Sequence, residues 1–208
     1  MDKDKIKVLV VDDHAIVRMG LVALLEAEDD IDVVGDAEDG ADAVRKAIKL
    51  NPDIVILDLM MPVMDGVTAT RELRTQVPKA KVLILTTSTV SDDLAHAMEA
   101  GAAGIVPKSS ANASLLEAIR AVAAGQKSIA PEIQELISQD PPVPELTARQ
   151  REILSYITRG LRNSDIAREL GIAQDSVKEH LNAIFHKLGA VNRAEAIAIA
   201  LRKHLLKS

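Results

Sequence analysis

Up to about residue 125 the chain alternates five short β-branched or apolar runs with five stretches of helical period, and no other feature restricts its fold as strongly. The runs fall at 6–11, 33–34, 54–57, 82–85 and 105–106, and the helical stretches near 15–27, 41–50, 66–76, 92–100 and 112–124. Gly101 and Gly125 stand as stops behind the last two. Strands that alternate with helices predict an α/β fold, a five-stranded parallel sheet covered on both faces. Ligands of such sheets bind beyond the carboxyl ends of the strands.

The texture changes after Gly125. PEIQELI suits a short helix, and Pro141, Pro142 and Pro144 then forbid continuous helix or central strand, so 126–144 reads as a linker. Beyond it the pattern is helical throughout. Thr147 with Gln150 makes a capping box ahead of Ile153, Leu154 and Ile157, and Gly160, Gly171 and Gly189 punctuate the rest into four helices. Two domains are expected, 1–125 and 145–208.

Charge separates the same segments. Residues 1–125 carry 13 basic and 21 acidic side chains, a net of -8, and 126–144 carry a further -2. Residues 145–208 carry 11 basic and 7 acidic, a net of +4. The basic part is the one expected to meet a polyanion. The chain has no cysteine, which removes disulfides and thiolate metal sites and fits a reducing compartment. The N-terminal apolar run is too short for a signal segment or a membrane span, so a cytoplasmic protein without a membrane partner is expected. Tyr156 and Phe185 are the only aromatic residues, which argues against base stacking on single strands.

Polar groups sit at successive strand ends: Asp12 and Asp13 after the first, Asp58 at the end of the third, Thr86 at the end of the fourth, with Lys108 after the fifth. Singly, each has an ordinary explanation. Asp12 and Asp13 suit helix caps, Asp58 an Asx turn before Pro62, Thr86 a strand position, and a lone lysine such as Lys108 is usually solvated. Together, gathered by a parallel sheet at one edge, they make a pocket for a hard divalent cation and a phosphoryl group. A carboxylate in such a place can itself become an aspartyl-phosphate.

The stretches VLVVDDHAIVR, DIVILDLMMPVMDG, VLILTTS and GAAGIVPKS closely resemble the receiver domain of two-component response regulators. The resemblance implies strand order 2-1-3-4-5 and phosphorylation of Asp58. It implies Mg2+ (magnesium) held by Asp12, Asp13, Asp58 and the Met60 backbone carbonyl, and Thr86 and Lys108 contacting the phosphate. It further implies a sensor histidine kinase as donor and a homodimer on phosphorylation. Many receivers have an aromatic where this chain has Ile105, and proline where it has Ser109. A short β-branched Ile105 is expected to stay buried in both states, with the signal passing through the fourth helix.

In the helix predicted for 174–188, Val177, Leu181, Ile184 and Leu188 share one face, opposite Asp175, Lys178, Glu179, Asn182 and His186. A short helix over 163–170 precedes it and Gly171 permits the tight turn between them. The stretch from LTARQREIL to AEAIAIA resembles the LuxR-type helix-turn-helix, and the whole chain a NarL/FixJ-type response regulator. That resemblance implies promoter DNA as partner, Lys178 and Asn182 facing the groove, and Ser176 and His180 at the backbone or in packing. Glu179 also faces the groove, where it accepts from cytosine N4 or repels phosphate. Ala173 replaces the family's usual Ser or Thr helix cap, which predicts a softer helix start.

Two enzymatic readings fail on the residues. A phosphohydrolase of aspartyl-phosphate type wants an acid two residues after its nucleophile, and Met60 stands there. A dinucleotide site wants G-x-G-x-x-G after the first strand, and the chain reads VVDDHA. A protein-interaction module without DNA is favoured by the acidic first domain and disfavoured by 145–208.

Overall fold

The computed structural model describes residues 5–140, 142–144, 146–203 and 205–206. The chain divides into two compact units, one made of the residues up to Thr89 with Asp93–Asp140, the other of Val90–Asp92 with the residues after Asp140.

In the first unit β1 (Ile6–Val11), β2 (Ile31–Ala37), β3 (Ile54–Asp58), β4 (Lys81–Thr86) and β5 (Gly104–Pro107) pair in parallel in the order 2-1-3-4-5. The connecting helices are α1 (Ala15–Glu26), α2 (Gly40–Leu50), α3 (Gly66–Gln76), α4 (Ser91–Ala100) and α5 (Asn112–Ala123). The period-2 pattern of β3 shows how the layers form. Val55 and Leu57 enter one core with Ala43, Val44 and Ala47 of α2, Leu73 of α3 and Leu94 of α4. Ile54 and Ile56 enter the other with Leu25 of α1 and Leu115, Ile119 and Val122 of α5. A strand buried on both faces reads as a continuous apolar run, as 54–57 does. Gly101 and Gly125 adopt φ +108° and +87°, the left-handed conformation expected of helix stops.

The segment read as a linker holds more structure than its prolines suggest. A sixth strand, β6 (Ser128–Ile129), pairs in parallel with β5, and α6 (Pro131–Gln139) buries Ile133 in the α2–α4 core. Two strand residues carry no periodicity for a sequence to display, so the pattern predicts five strands where the sheet has six among the described residues.

In the second unit α7 (Ala148–Thr158) opens on the expected capping box: the Gln150 amide donates to Thr147 Oγ1 at 3.2 Å and the Thr147 amide to Gln150 Oε1 at 3.0 Å. α8 (Asn163–Leu170), α9 (Gln174–Leu188) and α10 (Arg193–Arg202) follow. Gly171 closes α8 in the left-handed conformation at φ +62°, which permits the tight turn into α9. Ile153, Leu154, Ile157, Ile166, Val177 and Ile184 are wholly buried between these helices.

Candidate functional site: an acidic pocket and a helix-turn-helix

The carboxyl edge of the sheet brings the pocket residues together. Asp12 follows β1, Asp58 ends β3 and Thr86 ends β4, and the three residues are 1, 4 and 1 % exposed. Lys108, just past β5, places its Nζ 2.6 Å from Asp12 Oδ2 and 2.7 Å from Asp58 Oδ2. The residue whose sequence signal was weakest thus joins the two buried carboxylates. Asp13 lies beside them, and Asp12, Asp13, His14 and Asp58 each offer a ligand atom within 4.8 Å of the others. Met60, exposed, directs its amide at Asp58 Oδ1 from 3.4 Å. The Thr86 hydroxyl accepts from the Ser88 amide at 2.9 Å, so in this conformation it serves the β4–α4 turn.

Local sequence explains the placement. Asp65 caps α3 by accepting from the Thr68 amide at 2.8 Å, and Gly66 follows it. A side chain at Gly66 would collide with the Asp58 carbonyl, so the glycine lets α3 begin directly against the end of β3. Across the pocket, the Asp12 carboxylate accepts from the His14 amide at 2.8 Å and the Asp12 carbonyl accepts from Arg18 at 2.7 Å.

Burial pushes the Asp58 carboxyl up from the ordinary aspartate value, and the Asp12 charge adds to this, while Lys108 opposes it without cancelling it. Burial pulls on the Lys108 ammonium in the opposite sense, but the hydrogen bonds to Asp12 and Asp58 outweigh it and hold its pKa above the usual lysine value. Lys108 is therefore a fixed cation. Three carboxylates and one ammonium leave the pocket anionic, and an all-oxygen set of this charge fits Mg2+, a hard cation, better than a soft metal.

In the second unit, α9 presents Lys178, Glu179, Asn182 and His186 to solvent, with Ser176 and His180 half-buried beside its packed face. Lys178 Nζ lies 2.8 Å from Asp175 Oδ1, a contact that holds the Asp175 carboxyl below the usual range. Ala173 takes the N-cap position with no side-chain cap.

Residues 8–120 match the response regulator receiver domain family, and residues 144–200 match the bacterial regulatory proteins of the luxR family. The chain belongs to the LuxR-type response regulators. It is 38 % identical over 209 residues to the transcriptional regulatory protein LiaR of Bacillus subtilis (strain 168), covering 97 % of this chain and 99 % of that one. It resembles RcsB from Salmonella enterica serovar Typhimurium, solved bound to a promoter in the presence of phosphomimetic BeF3. Identity there is 26 %, coverage 97 and 100 %, and the TM-score 0.71. Two RcsB dimers bound to two parallel DNAs are similar as well, at 25 % identity, coverage of 96 and 99 %, and a TM-score of 0.69. This response regulator is a two-component transcription factor with a helix-turn-helix DNA-binding domain, not a catalytic enzyme. Sequence reasoning missed three supports of its pocket. Arg18 acts through a backbone carbonyl, which no motif displays, and His14 and Ser88 join through turns that only the fold closes.

Proposed function

We propose that this response regulator accepts a phosphoryl group on Asp58 from a sensor histidine kinase in the cytoplasm, dimerises, and binds promoter DNA through α9. The observation that carries the reading is the pair of contacts from Lys108 Nζ to Asp12 and Asp58 at 2.6 and 2.7 Å. They put a permanent cation where the oxygens of a phosphoryl group on Asp58 would need one.

In the transfer, an Asp58 carboxylate oxygen attacks phosphorus. The new O–P bond forms as the donor's P–N bond to imidazole breaks, and the imidazole leaves with the bonding pair and takes up a proton. Asp12, Asp13, Asp58 and the Met60 carbonyl are the proposed ligands of Mg2+, which when bound supplies positive charge to the transferring oxygens. Lys108 holds one phosphoryl oxygen and Thr86 turns its hydroxyl to another. On α9, Lys178, Glu179 and Asn182 are the proposed base-facing residues, with Ser176 and His180 at the backbone or in packing and His186 a further DNA-binding residue on the exposed face.

The proposed division is a receiver over 1–125, a connection over 126–144 and a DNA-binding domain over 145–208. The two family matches support it, and β6 and α6 extend the packing of the receiver into the connection. Dimerisation is supported by the RcsB relative solved as dimers on DNA. Among the described residues no helix is long and apolar enough to cross a membrane. The test is labelling by acetyl phosphate with Mg2+: wild type is expected to take up one phosphoryl group per chain and Asp58→Asn none. Undiminished labelling of that variant would overturn the assignment.

A further inference from the structure

The strand β6 and helix α6 lie against the residue at which this chain departs from many of its relatives. Ile105 pairs with Ile129 in the β5–β6 ladder, and its carbonyl accepts from the Ala130 amide at 3.1 Å. The Ser128 amide donates to the Ala103 carbonyl at 3.1 Å. A side chain at position 104 would collide with the Ser128 carbonyl, so Gly104 is what allows β6 to approach. Ile105 is wholly buried, and Ile133 of α6 belongs to the same cluster as Ile105, Leu94 and Ala97, with Leu136 and Ile137 packed on it.

We propose that β6 and α6 form a strap, docked on β5 in the unphosphorylated receiver and released when Asp58 is phosphorylated, with Ile105 as the residue beneath it. This rests on the reading of Asp58 as phosphoacceptor. Its attachment is limited to a two-residue strand, far shorter than usual, one buried side chain, Ile133, and the partly buried Ile129, Ala130, Leu136 and Ile137. The route from the pocket is short. Thr86 Oγ1 accepts from the Ser88 amide, while Ser88 Oγ donates to Asp93 Oδ2 on α4 at 3.3 Å. A Thr86 hydroxyl that turns to a phosphoryl oxygen gives up the Ser88 amide and reshapes the turn that leads into α4. The Leu94 and Ala97 wall of the cluster that holds Ile133 shifts with it. An aromatic at 105 would itself move to register the change; a buried isoleucine leaves that task to the cover above it.

The experiment is hydrogen exchange on the full chain, with Mg2+ and BeF3 as the probe of Asp58. On binding, loop 59–65 is expected to gain protection and segment 128–139 to exchange about tenfold faster. Gly104→Ala and Ile133→Ser should each expose 128–139 without the probe, while strand 6–11 stays protected. Linkage is reciprocal, so a released strap must raise BeF3 affinity, by about fivefold or more in Ile133→Ser. A purely structural α6 would leave that affinity unchanged. Protection of 59–65 with no acceleration of 128–139 would overturn the strap alone, as would an Ile133→Ser protein that is loosened yet binds BeF3 as wild type does. Absence of any protection at 59–65 would overturn the Asp58 reading, and the strap with it.

Discussion

Burial, with the Asp12 charge adding to it, holds the Asp58 carboxyl above the ordinary aspartate value against the pull of Lys108. A carboxyl whose folded value lies above its unfolded one adds stability at low pH, in full below the ordinary aspartate value, and loses it as pH rises through the folded value. Without divalent cations, Asp58→Asn is therefore expected to melt higher than wild type near neutral pH, by about 2 °C or more. The gap should close toward pH 3 and narrow when Mg2+ is added. Thermal melts in EDTA across that range check it, and a variant that melts lower at neutral pH would show Lys108 to be the dominant influence. The five pocket residues were legible in the sequence because a parallel sheet gives strand ends a common address. Arg18 was not, since a side chain that grips the Asp12 carbonyl follows no spacing rule.

Elements differ in how much of their packing they announce. Helix α9 falls where its apolar spacing placed it, because Val177, Leu181, Ile184 and Leu188 satisfy one period over four turns. Its start lacks a side-chain cap, and Ala173 already has the extended backbone, φ -66° and ψ 146°, that a capping residue adopts. Ala173→Ser should stabilise the second unit by about 0.5–1 kcal/mol, read as a higher urea midpoint for its unfolding. At β5 the expectation for Ile105 meets a fully buried side chain. Ile105→Ala is expected to lower the stability of the first unit by about 2–5 kcal/mol in urea titrations. Labelling of Asp58 should persist in the folded fraction. A well-folded, labelled variant unable to dimerise would place Ile105 in the switch directly. The strand β6 escaped notice because two residues offer neither alternation nor length.

At the scale of the molecule, the acidic and basic halves assign the polyanion to one side of the chain. Binding to duplex DNA should weaken linearly in log salt, and Lys178→Ala separates two roles for its ammonium. A base contact predicts a loss of about 1–3 kcal/mol, with relaxed preference at one position. A phosphate contact predicts weakening on all sequences and a salt slope smaller by about one. Mobility shifts over a salt series on matched and scrambled duplexes decide between them, and no change in either would remove this face from the interface.

The central strand β3 has one further consequence. All four residues 54–57 are 0 % exposed and alternate between two cores, so Asp58 is mounted on a post that neither face of the sheet allows to move. What happens chemically at its tip must be expressed in the rim, in the turns and helix starts that surround it. Such a foundation separates inheritance into two ledgers. Substitutions at the rim redirect which surface responds, while the post keeps the reacting atom in place, so the output of a receiver can be rewritten without rebuilding the site that receives the signal.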